Sequence, residues 1–105
     1  MIFLIFLGTV KMGKEHLDFV VGFVCQSPDV IEEPYLLQLT PGVKLEDGRD
    51  SLGQKYNTPE YVVLKKGADI AVVGRGIIHS SNPGKTAKIF KEQLWKAYLQ
   101  RVNKI

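Results

Sequence analysis

Sulfur and histidine are scarce in this chain of 105 residues: it has one cysteine, Cys25, and two histidines, His16 and His79. A lone cysteine excludes an internal disulfide framework and supplies no zinc site by itself. That fits a reducing, cytoplasmic setting, with Cys25 as a small apolar filler at a strand end. The histidines are far apart in sequence, and no carboxylate is spaced to orient either. A histidine-based nucleophilic triad therefore has no support, and both read as surface residues. P-loop, EF-hand and metalloprotease motifs are absent, and Asp47, Asp50 and Asp69 are not spaced as a metal site. The apolar opening, residues 1–7 (MIFLIFL), is far short of the roughly 20 residues that span a bilayer. It has no basic stretch before it and no small-residue cleavage site after it, so it reads as a buried or partner-covered segment rather than a secretory signal.

What remains is an ordinary folded composition, 45% hydrophobic and 24% charged, in a chain long enough for a single modest core. The net charge of +3 is too small to require a nucleic-acid partner. The charge is unevenly spread. Between Glu15 and Asp50 lie eight acids and only Lys44 and Arg49 as bases, whereas from Arg75 onward seven bases face Glu92 alone. An anion site in the second half or a solvated lysine-rich helix face both account for this.

Periodicity and punctuation predict the elements. Residues 8–16 read as a short helix or the end of one, weakened by Gly13. Residues 19–24 (FVVGFV) lack alternation and predict a strand buried on both faces. A second strand is expected over residues 35–39, stopped by Thr40-Pro41-Gly42, then a loop over residues 42–56. Thr58-Pro59-Glu60 starts a helix that ends at Gly67, and residues 69–73 predict a third buried strand. After a turn at residues 80–83, Ala87, Phe90, Leu94, Ala97, Tyr98 and Val102 share one helix face, with Trp95 and Tyr98 expected to pack on a neighbour. Parallel-type strands separated by helices define an α/β fold, and a sheet of three such strands has two exposed edges.

Three patterns bear on chemistry. Val73-Gly74-Arg75-Gly76 at a strand exit offers main-chain N–H groups and a planar guanidinium to phosphate oxygens; a tight turn with a solvent-exposed arginine reads equally from the pattern. Gln54 and Tyr56 on the long loop suit an anionic ligand or a plain polar surface. Thr40-Pro41-Gly42 is most simply a strand terminator.

Together, Leu39-Thr-Pro-Gly-Val43, Leu52-Gly-Gln-Lys-Tyr56, Asp69-Ile-Ala-Val-Val-Gly-Arg-Gly-Ile77 and Trp95-Lys-Ala-Tyr-Leu99 resemble the C-terminal part of the orotidine 5′-phosphate decarboxylase family. The likeness is greatest to the animal form, where this domain ends a bifunctional UMP synthase. It covers residues 10–105 as one partial domain and leaves the apolar residues 1–9 unmatched. It implies the last three strands of a (β/α)8 barrel, a fold typically of about 250 residues, and hence an incomplete barrel. It implies that Gln54, Tyr56, Gly74 and Arg75 bind the substrate phosphate, that Pro41 and Gln54 lie near the pyrimidine, and that neither metal nor organic cofactor takes part. The substrate implied is orotidine 5′-monophosphate and the product UMP, with no nucleic-acid or membrane partner. A homodimer, or assembly with a separate N-terminal barrel half, is the expected association. The family's Lys/Asp array, D-x-K-x-x-D, has no match here, and Lys44 and Lys55 have no carboxylates arranged to replace it. No catalytic residue is therefore assigned and no activity is expected of the chain alone. A non-catalytic phosphate-binding module or barrel-completing subunit, or another phosphate-binding barrel enzyme, are the other readings.

Overall fold

The computed structural model describes residues 2–27, 33–45 and 57–103. Their order is α1 (Ile2–Lys14), β1 (Gly22–Val24), β2 (Leu37–Thr40), α2 (Pro59–Leu64), β3 (Ile70–Ala71), α3 (Arg75–Ile78) and α4 (Pro83–Val102). The strands form one parallel sheet in the order β1-β2-β3, with Phe23 opposite Gln38 and Thr40 opposite Ala71. A parallel pair needs a crossover, and α2 supplies it between β2 and β3.

The helix starts follow from local chemistry. Thr58 Oγ1 accepts from the Tyr61 N–H at 3.2 Å, with Pro59 at the first helical position, so an otherwise orphaned donor is satisfied. Asn82 caps α4 in the same way through the Lys85 N–H. After α2 the chain turns at Gly67, where φ is +70°, a left-handed conformation that favours glycine.

Register puts Phe23, Gln38, Thr40 and Ala71 on one sheet face, and that face is covered. Val62, Val63, Ala68, Phe90 and Ala97 pack beneath it with Val43, while Val10, Phe23, Cys25 and Leu36 form a second cluster. Two buried polar side chains sit between sheet and helices. The Gln38 amide donates to Thr40 Oγ1 and to the Lys66 carbonyl, both at 2.9 Å, and Thr40 Oγ1 donates to the Cys25 carbonyl at 2.9 Å. These bonds tie β1, β2 and the end of α2 together where unsatisfied groups would be costly. Asp69 closes the near end of β3. Its carboxylate accepts from the Gln38 N–H at 2.8 Å and lies 3.6 Å from the Arg101 guanidinium, which also donates to the Ala68 carbonyl.

The opposite face corrects the expectation of strands buried on both sides. Val24, Leu37, Ile70 and Val72 are exposed there, Phe19 and Val21 are exposed ahead of β1, and the strands are shorter than the apolar runs that carry them. The reason is that α2 and α4 cover one face only among the described residues. Trp95, at 59% exposure, and Tyr98 likewise do not pack inward; they stack on each other with ring centroids 5.3 Å apart, and Val102 is exposed beside them. The helix expected over residues 8–16 begins earlier, inside the apolar opening, and passes through Gly8. No described helix is long and apolar enough to cross a membrane.

Gly22 stands opposite Leu37, and a Cβ there would collide with the Leu37 carbonyl oxygen. Gly22→Ala must push β1 away from β2, and overpacking of this kind costs about 1–3 kcal/mol. Urea unfolding should show a lower midpoint with little change in slope; an unchanged midpoint would contradict the pairing.

Candidate functional site

In open parallel sheets, ligands bind outside the carboxyl ends of the strands. Here those ends present Cys25 and Gln26 after β1, Pro41 and Gly42 after β2, and Gly74 and Arg75 after β3. Pro41 has no N–H, so β2 stops there, and Gly42 turns the chain with φ at +75°. Val43 then pairs in parallel with Asn57, and the Lys44 N–H donates to the Asn57 carbonyl at 2.9 Å. Both ends of the intervening stretch are thereby held at the same edge of the sheet.

The glycine-arginine motif is a single helical turn, α3, rather than the plain turn expected from its two glycines. The Ile77 and Ile78 N–H groups donate to the Gly74 carbonyl, and the His79 N–H to that of Arg75. The glycines do different things. A Cβ on Gly76 would lie 3.3 Å from Phe90 Cζ, so this glycine lets the turn rest on the core. A Cβ on Gly74 would meet nothing within 4 Å among the described residues, so no described side chain fills the strand exit there. Arg75 is exposed at the start of the turn. The first N–H groups of a helix lack intrahelical acceptors, so this corner offers donors and a guanidinium together.

Pro41, Gly74 and Arg75 thus lie at the carboxyl ends of adjacent strands. Gln54 and Tyr56, the other two residues expected at the phosphate, lie outside the described residues. Asn57, whose amide joins two strand exits, was not singled out by sequence reasoning: an asparagine before a Thr-Pro helix start carries no local signal of a long-range role.

Among the described residues, the remaining titratable groups give no rival centre. Burial pushes the Cys25 thiol up, with Asp69 adding to the rise and a Ser27 main-chain contact opposing it. Such a thiol is a poor nucleophile at neutral pH. Its Sγ lies 3.8 Å from the Phe23 carbonyl in the second core cluster, as expected of a filler. Both histidines are exposed. Among the described residues, no three His, Cys, Asp or Glu side chains are grouped to hold a metal ion.

Comparison with known proteins decides the family. The model of the orotidine 5′-phosphate decarboxylase / HUMPS family matches residues 8–90. The chain belongs to this family. It is 50% identical over 95 residues to uridine 5′-monophosphate synthase of Bos taurus and 45% identical over 93 residues to that of Naegleria gruberi. It is 39% identical over 107 residues to orotidine 5′-phosphate decarboxylase of Hypocrea jecorina. These alignments take in 90%, 89% and 90% of this chain but only 20%, 19% and 28% of the respective relatives. The decarboxylase family match includes all three strands and the Gly74-Arg75 corner.

Proposed function

We propose that this chain is the phosphate-gripping, C-terminal part of an orotidine 5′-phosphate decarboxylase barrel, of the UMP-synthase type. The reading is carried by one observation: Pro41 and the Gly74-Arg75 corner share the carboxyl edge of a parallel sheet in a chain of this family. In the complete barrel, orotidine 5′-monophosphate loses carbon dioxide and gives UMP, in the cytoplasm and without metal or organic cofactor. Arg75 and the Gly74 main chain bind the phosphate together with Gln54 and Tyr56, and Pro41 and Gln54 border the pyrimidine.

The open sheet face supports the same reading. Val24, Leu37, Ile70 and Val72 are the branched apolar residues that fill the interior of a (β/α)8 barrel, and the outer edges of β1 and β3 are unpaired among the described residues. Phosphate-binding groups remote from the reacting carbon lower the barrier only if their binding energy is realised in the transition state. That requires the proton-transfer half of the site, for which this sequence has no D-x-K-x-x-D match. The same open face favours a second reading, a subunit that binds nucleotide or completes a barrel without itself turning over substrate.

Decarboxylation followed by ultraviolet absorbance tests the reading. The chain alone should be silent, and mixing it with the N-terminal strands of a related decarboxylase domain should restore turnover. Turnover by the chain alone that disappears in Arg75→Ala would overturn the assignment of an inactive segment. UMP binding without turnover in the mixture would favour the binding subunit.

A further inference from the structure

We infer that Asn57 is a positioning residue of the nucleotide site, acting through the Pro41 main chain; this rests on the function proposed above. The side-chain amide of asparagine has two N–H donors, and here both are engaged. Nδ2 donates to Gln26 Oε1 at 3.0 Å and to the Pro41 carbonyl at 3.2 Å. Gln26 lies just past β1 and Pro41 just past β2, so one side chain spans two strand exits. The Asn57 carbonyl meanwhile accepts from the Lys44 N–H, and the next residue, Thr58, caps α2. Gln26 Oε1 also accepts from Lys66 Nζ at 2.7 Å. That charged donor fixes the amide so that its oxygen, not its nitrogen, faces Asn57.

The consequence for Pro41 is specific. The pyrrolidine ring locks φ near −65°, which leaves ψ as the soft torsion of that residue. Rotation about ψ swings the carbonyl, so a hydrogen bond on that oxygen fixes the torsion. Proline has no N–H with which the sheet can hold it. Asn57 therefore sets the orientation of the Pro41–Gly42 peptide, and with it the ring face offered at the carboxyl edge.

Asn57→Asp separates this role from general support. The shape is kept, and the Gln26 amide can turn to donate to the new carboxylate beside Lys66, but the amide donor to the Pro41 carbonyl is lost. In the isolated chain, the Pro41 carbonyl-carbon and Gly42 amide resonances should move more in Asn57→Asp than in Gln26→Ala. Equal or smaller movement overturns the inference, whatever the activity. In the complemented barrel, Asn57→Asp should lower kcat/KM about tenfold, and Asn57→Gln, which keeps both donors, should recover part of the loss. An active assembly with the same kcat/KM for Asn57→Asp and the unsubstituted chain also overturns it. An unsubstituted assembly with neither turnover nor UMP binding defeats the proposed function instead, and the resonances still decide whether Asn57 orients Pro41. If Asn57→Asp does not fold, Asn57→Ala is read by the same signals.

Discussion

Phe90→Ala is expected to lower stability by about 3–5 kcal/mol, the usual cost of removing a buried phenyl ring. Phe90 is only 3% exposed and is the largest side chain in the cluster formed with Val62, Val63 and Ala97. Small domains are stable by about 5–15 kcal/mol, so this substitution removes much or all of the margin. Urea unfolding at 25 °C measures it. Phe90 also lies under α3, where its Cζ is 3.3 Å from the Cβ position of Gly76. The two positions should therefore couple. Gly76→Ala alone crowds the ring, and the same change in a Phe90→Leu background should cost less. Strict additivity of the two changes would show that the turn does not rest on the ring.

Arg75→Ala is expected to weaken UMP binding by the complemented barrel about 10- to 100-fold, the loss of charge-assisted hydrogen bonds to phosphate. Uridine, which lacks the phosphate, should bind both proteins alike. Arg75→Lys should fall between, because an ammonium keeps the charge but not the planar pair of donors. Arg75 is exposed, so stability should change by less than about 0.5 kcal/mol. Equal losses for UMP and uridine would remove Arg75 from the phosphate site.

Both helix starts that position this site are local in origin, which is why α2 was legible in the sequence. Thr58 and its proline act on main-chain groups within one turn, and Pro41 and Gly42 end β2 by their own backbone chemistry. The exposure of Phe19, Val24 and Ile70 was not legible, because an apolar run is written the same way whether a second layer covers it or not. Trp95 and Tyr98 failed for the same reason: helical spacing gives a face, not the neighbour it meets. Gly13 reads in the sequence only as a weak point of that helix; within α1 it is the residue that fits, because Phe23 leaves no room for a side chain and a Cβ would be 2.5 Å from the ring. That contact joins residues distant in sequence, as do the bonds of Asn57 to Gln26 and Pro41. Of the site itself, the strand-exit positions of Pro41, Gly74 and Arg75 follow from the motif order. That Gly76, and not Gly74, rests on the core follows only from the position of Phe90.

Trp95 is the sole tryptophan of the chain, and its indole is largely in water while stacked on Tyr98. Beside it runs a shallow groove lined by Val63, Ala68, Ala71 and Leu94. The molecule thus carries its own optical reporter at one sheet edge. Whatever settles into that groove takes the ring out of water and moves its emission to shorter wavelength, so association can be titrated by fluorescence without a label. Because the groove lies between β3 and α4, whereas Pro41 follows β2 and Arg75 opens α3, a change in this emission reports what docks on that side of the sheet.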